Sequence, residues 1–257
     1  MATPPVMRVV EREMRVFARL WRSAVFSTFL APVLFLAAMG LGLGGLVKEH
    51  TGKVAGLTYL DFVAPGLLVA SAMQIAANES MWPVLGAVKW VKNFHATVAT
   101  SITSGELVLG YVVWITLRAV LGSAVFLLVA AVLGAVPSAW GVLAIPAAAL
   151  CSAAFCAPLT AFSVGLDSDL AFPVIMRVAV LPLFLFSGTF FPISQLPGWL
   201  RPFAALSPLW HGVELARHAT TGSLHPGADF VHILVLVACT GAGLLWGRRR
   251  FARRLTA

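Results

Sequence analysis

The sequence predicts an all-α integral membrane protein, and three observations carry that prediction. Charged residues make up only 11% of the 257 and hydrophobic residues 60%, whereas soluble chains carry roughly 25% charge. Mean hydropathy is +0.92, more apolar surface than a water-soluble globule of this size can cover. The apolar residues also gather into six blocks, each near the roughly 20 residues that cross a bilayer's hydrocarbon core. Three Cys are too few for a disulfide-stapled fold. The net charge of +8 would suit a nucleic-acid partner, but its distribution argues against one. Five basic residues lie at Arg8 to Arg22 and five at Arg248 to Arg254, outside the apolar blocks. Basic ends flanking apolar spans anchor a chain to acidic headgroups.

Taken in order, residues 1–23 form an amphipathic helix. Arg8, Arg12, Arg15, Arg19 and Arg22 recur at steps of 4, 3, 4 and 3 on one face, with Val6, Val10, Met14, Phe17 and Trp21 on the other. Such a helix lies in the membrane interface, as a topology anchor or as a surface that also touches a partner. The six spans fill residues 24–247: about Ala24 to Val47, Tyr59 to Val88, Glu106 to Val136, Trp140 to Leu166, Ala171 to Phe191, and Phe230 to Gly247. Residues 248–257 are a basic tail. With both termini inside, cytoplasmic segments hold 13 Lys and Arg and outer segments 4. The positive-inside rule therefore places both ends in the cytoplasm. The first block is too long for a signal peptide's apolar region and lacks a clear small-residue exit.

Soluble chemistry is missing from the pattern. There is no phosphate-binding loop, since Gly52-Lys53 is followed by Val54, and no His-Glu-x-x-His, nucleophile elbow or Cys-x-x-Cys. Cys151, Cys156 and Cys239 sit in apolar spans as small core residues. His211, His218 and His225 step by seven while His50, His95 and His232 are scattered, so metal binding is not expected. Within the spans the notable charges are Glu79 and Arg118, 10 residues from Lys89 and 12 from Glu106. At about 1.5 Å per residue they lie roughly 15 and 18 Å deep and can pair. That pair is either a packing clamp or part of a substrate site.

The stretch SGTFFPISQLPGWLRPFAALSPLWHGVELAR, Ser187 to Arg217, resembles the outer re-entrant signature of type-2 ATP-binding-cassette exporter permeases. YLDFVAPGLLVASAM (Tyr59 to Met73), NES (Asn78 to Ser80), VKWVKNFHATVAT (Val88 to Thr100) and GELVLGYVVWITLR (Gly105 to Arg118) agree with it. Together they are similar to the branch serving nodulation-factor (lipo-chitooligosaccharide) export and daunorubicin resistance. The likeness covers nearly the whole chain. Ser101 departs from it, standing where proline is expected after Ala-Thr.

The resemblance implies a half-transporter in a bacterial inner membrane. It binds no cofactor of its own; ATP and Mg belong to two copies of a separate ATPase subunit. A second permease chain, identical or paralogous, completes the pore. The cargo would be a lipo-oligosaccharide, a glycolipid or a hydrophobic drug. An ion-coupled carrier or a non-transporting assembly subunit is the alternative.

In that light the loop 89–105 becomes a coupling helix, with Trp90 and Phe94 at i, i+4 as an aromatic knob among Lys89, Lys92 and His95. Read from the residues alone, the same aromatics suit a membrane-interface belt. Asp167 and Asp169 form a second contact. Thr103 or Ser104 would cap the third span. Prolines at 192, 197, 202 and 208 break the chain into two short helices over residues 192–217, the outer re-entrant hairpin between spans five and six. Pro192, Pro197, His211, Glu214 and Arg217 are its candidate gate residues, the last three on one polar stripe with His218 that is either a gate or a solvated, self-paired face. Phe184, Phe186, Phe190 and Phe191 would line the pathway or pack the core.

Overall fold

The computed structural model describes residues 4–38, 54 and 56–255, and for 20–33, 35 and 37 it describes backbone alone. Every regular element among the described residues is helical. Among the described residues four helices are long and apolar enough to cross a membrane: α2 (Tyr59–Lys89), α4 (Ser104–Val132), the run Ala139–Ser163, which opens as a 3-10 turn and continues as α5 (Ala144–Ser163), and α9 (Pro226–Leu255). Their positions match the second, third, fourth and sixth expected spans within a few residues, except that α9 extends through the basic tail. Hence 248–255 is the end of a helix and not a separate tail.

The helix at the place of the fifth expected span is shorter than expected. Helix α6, Ala171–Phe186, is interrupted by a π segment at Met176–Val180 and stops before Ser187. Gly188 follows at φ +78°, a left-handed conformation that glycine adopts without steric cost and that turns the chain sharply. Helix α1 runs without a break from Pro5 to Ala37, 33 residues and roughly 50 Å. The expected boundary between an interfacial helix ending at residue 23 and a first span starting at Ala24 is therefore absent. Residues 39–47 of that span, Lys48, His50 and Lys53, together with the side chains of Trp21 and Arg22, lie outside the described residues.

The first turns of α1 pack on protein. Val9 and Val10 are buried, while Met14 is exposed. Gly110 of α4 makes this possible: a Cβ there would stand 2.7 Å from the Val9 Cβ and 2.9 Å from the Val6 carbonyl oxygen. Thr103 caps α4, accepting from the Glu106 amide at 3.3 Å while Glu106 returns a bond to the Thr103 amide at 2.8 Å.

Helix α2 is the centre of the bundle, packed against α4 and α5, and α9 crosses α5 at close range. A Cβ on Gly243 would come within 2.6 Å of the Pro158 backbone nitrogen and 2.8 Å of the Ala157 Cβ. Small residues at such crossings let backbones approach when lipid supplies no hydrophobic drive. Gly243→Val is expected to lower stability by about 1–3 kcal/mol through overpacking, read by thermal unfolding in one fixed detergent. Gly241→Val, where a Cβ meets nothing within 4 Å, should leave the transition unchanged.

Candidate functional site

At one end of the bundle, α2 closes on Trp90, and Lys92 adopts φ 54° to turn the chain into the short helix α3, Asn93–Val98. Trp90 and Phe94 therefore do not share a helix, contrary to the expected knob. Trp90 (64% exposed) and Val91 (71%) project outward, whereas Phe94 is fully buried. Phe94 packs edge-on against Tyr111 at 5.3 Å and, tilted, against Phe251 of α9 at 5.7 Å. The physical reason is the left-handed Lys92, which rotates the helix that follows it relative to α2.

The expected second contact sits beside the first. The Lys89 ammonium donates to the Asp167 carbonyl, and Arg254 pairs with the Asp167 carboxylate. The Asp169 carbonyl accepts from the Phe172 amide at 2.9 Å and so starts α6. Leu170, next to Asp169 in the chain, is 79% exposed. Arg12 of α1 donates to the Thr97 hydroxyl at 2.8 Å, joining the N-terminal helix to α3. His95, half-buried, lies on the same short helix. Val91, Leu170 and Arg254 belong to this patch, and sequence reasoning missed all three. The signal available for Val91 and Leu170 was an apolar residue at a short polar turn, whereas Arg254 comes from the last turn of α9.

Midway along the bundle Arg118 and Glu79 meet in an ion pair, each side chain about a quarter exposed (24% and 25%). The Tyr111 hydroxyl donates to the Glu79 carbonyl at 3.2 Å, and the Arg118 guanidinium lies 5.0 Å over the Phe17 ring. The pair thus links α1, α2 and α4.

At the opposite end, Pro192 leads into a 3-10 turn, Ile193–Gln195, with Pro197 exposed beyond it. Helix α7, Arg201–Leu206, and helix α8, Pro208–Thr221, then return the chain, and the Ser187 and Ser207 hydroxyls close the excursion at 3.0 Å. The polar stripe of α8 turns inward. Arg217 is 8% exposed and donates to Glu214 at 2.5 Å, to the Gly188 carbonyl at 2.7 Å and to the Phe62 carbonyl at 3.3 Å. Its guanidinium also lies 3.9 Å over the Phe62 ring. One side chain so fastens the turn after α6 to α8 and α2.

His232, expected to stand apart, faces His211 with their Nδ1 atoms 2.6 Å apart, and Trp210 lies edge-on to both. His218 contacts Asp229 at 2.6 Å, and the His225 amide donates to the same carboxylate at 2.9 Å. Gly222, at φ +76°, folds α8 back towards α9 and brings these groups together. Phe184 pairs edge-on with Phe190 at 5.1 Å and Phe186 with Phe191 at 6.4 Å, so all four aromatics cluster at the end of α6.

Among the described residues, four long apolar helices, two of them joined by an ion pair, mark an integral membrane protein. The family model for the ABC-2 type transporter matches residues 6–220, and the chain belongs to that family. It is 30% identical over 246 residues to Nodulation protein J of Rhizobium leguminosarum bv. viciae, covering 91% of each chain. It is 31% identical over 206 residues to Nodulation protein J of Sinorhizobium fredii, covering 77% of this chain and 76% of that one. Over 101 residues, 39% of this chain and 38% of the other, it is 25% identical to the inner membrane transport permease YadH of Escherichia coli. The chain is accordingly a multi-pass membrane permease subunit of an ATP-binding-cassette exporter, with ATP hydrolysis in a separate subunit.

Proposed function

We propose that this permease forms one half of an export path for an amphiphile, such as a lipo-oligosaccharide, a glycolipid or a hydrophobic drug. Two permease chains and two ATPase subunits make the working unit, with ATP and Mg held by the ATPase. The chain spans a bacterial inner membrane six times with both termini cytoplasmic. Helix α1 belongs to the first span, α6 is the fifth, and the Ser187–Thr221 excursion is an outer re-entrant hairpin. Pro192 and Pro197 shape that hairpin, and His211, Glu214 and Arg217 hold it shut from within. The second permease chain covers α6, whose Val174, Val178, Leu181 and Leu185 are exposed at i, i+4, i+7 and i+11. Phe184, Phe186, Phe190 and Phe191 line the path where that face meets its copy.

The observation that carries the reading is the exposed Trp90, Val91 and Leu170 among Lys89, Lys92, Asp167, Asp169 and Arg254. Aromatic and aliphatic anchors ringed by charge fit a partner's pocket. The ATPase closes on this patch, and its motion reaches the bundle through the Lys89–Asp167–Arg254 link and, by way of α3, through Phe94 and His95. Trp90→Ala with Val91→Ser is expected to weaken ATPase association at least about tenfold and to abolish ATP-driven export. Membrane insertion should be intact by membrane fractionation, while association is read by copurification and transport by ATP-driven uptake into inverted vesicles. Full coupling in that variant would overturn the docking role. Transport driven by an ion gradient without any ATPase would replace the exporter by a secondary carrier.

A further inference from the structure

A groove of about 600 Å³ opens between the start of α4 and the last turns of α9, within the roughly 300–1,000 Å³ of small-ligand clefts. Its floor is apolar: Leu109, Leu244 and Leu245, with Leu109 40% and Leu245 66% exposed. Its mouth carries one cation and one carboxylate, Arg248 and Glu106. Gly105 shapes it, because the Arg248 stem lies across that residue, 3.5 Å from where a Cβ would sit. Among the described residues Arg248 has no acceptor. Both capping bonds to Glu106 fall on Oε2, which leaves Oε1 as an acceptor for another donor.

We infer that this groove binds a phospholipid whose headgroup joins a phosphate to a primary ammonium, as in phosphatidylethanolamine. The phosphate meets the Arg248 guanidinium beside the N-terminal amides of α4, where aligned peptide dipoles favour an anion. The ammonium donates to Glu106 Oε1, and an acyl chain lies along Leu109, Leu244 and Leu245. One positive and one negative group at the mouth match a zwitterion and disfavour a purely anionic head. A quaternary ammonium cannot donate a hydrogen bond, so phosphatidylcholine fits less well. The site is separate from the export path and from the docking patch, and it does not depend on the identity of the cargo.

The test is native mass spectrometry of the delipidated full-length permease titrated with dioleoyl phosphatidylethanolamine, phosphatidylcholine and phosphatidylglycerol. Phosphatidylethanolamine is expected to bind about tenfold more tightly than phosphatidylcholine. Glu106→Gln keeps a capping side chain at that position and should erase the preference. Arg248→Gln should weaken both lipids. Leu245→Trp, at an exposed position, should fill the groove and weaken all three without touching either charge. Equal binding of the two zwitterionic lipids, tightest binding of phosphatidylglycerol, or a preference that survives Glu106→Gln would each overturn the assignment.

Discussion

Arg217→Met is expected to destabilise the permease by about 3–5 kcal/mol, the range for removing one partner of a buried ion pair. The arginine is nearly enclosed, and it contacts Glu214, two backbone carbonyls and the face of Phe62 at once. Without it the Glu214 carboxylate is left without its charge partner, and the Gly188 and Phe62 carbonyls lose a donor. Arg217→Lys keeps the charge but not the planar fork that reaches several acceptors at once, and should cost about 1–3 kcal/mol. Adding Glu214→Gln to Arg217→Met removes the stranded charge and should recover part of the loss. Thermal unfolding in a fixed membrane mimetic reads all three. A transition for Arg217→Met at the wild-type temperature would show that Arg217 does not hold this segment in place. Export should fall in parallel, because the same side chain fastens the turn after α6 to α2.

The second large effect is expected at the pair between α2 and α4. Glu79→Arg sets two cations together inside the bundle, and Arg118→Glu sets two carboxylates there. Either single change should cut the amount of assembled permease in the membrane to about a tenth or less, since unpaired charge at depth is costly. The double swap restores opposite charges and should recover about half or more. Recovery should stop short of complete, because a glutamate at position 118 cannot take the place of the guanidinium over Phe17. Membrane-fraction immunoblots, normalised to transcript, measure it. A double variant as depleted as the singles would dismiss the pair as the link between these helices.

Much of the architecture was legible in the residues. Four apolar blocks became long helices because main-chain hydrogen bonding and apolar side chains are local properties of about 20 consecutive residues. Thr103, one of the two residues expected to cap α4, does so, and Glu106 three residues on completes a capping box. The Glu79–Arg118 contact followed from similar counts, 10 and 12 residues, along two antiparallel helices from the same boundary. That α1 runs past Ala24 without a boundary was not legible, because arginines on one face suit an interfacial helix and a helix packed on α4 equally well. The stop of α6 at Phe186 depends on the Arg217 and Ser207 contacts to Ser187 and Gly188, residues far away in the chain.

The sequence by itself determined that this chain is a helical membrane protein, where its long apolar helices fall, and which family it joins. Tertiary structure alone decided which side of each amphipathic stretch looks inward. Phe94 and Trp90 stand four residues apart, yet one is buried against Phe251 and the other is exposed. His232 meets His211 only because Gly222 folds α8 back towards α9. Hydrophobicity is a property each residue carries with it. Orientation is set by the neighbours that a helix finds across the bundle, and those neighbours are distant in the chain.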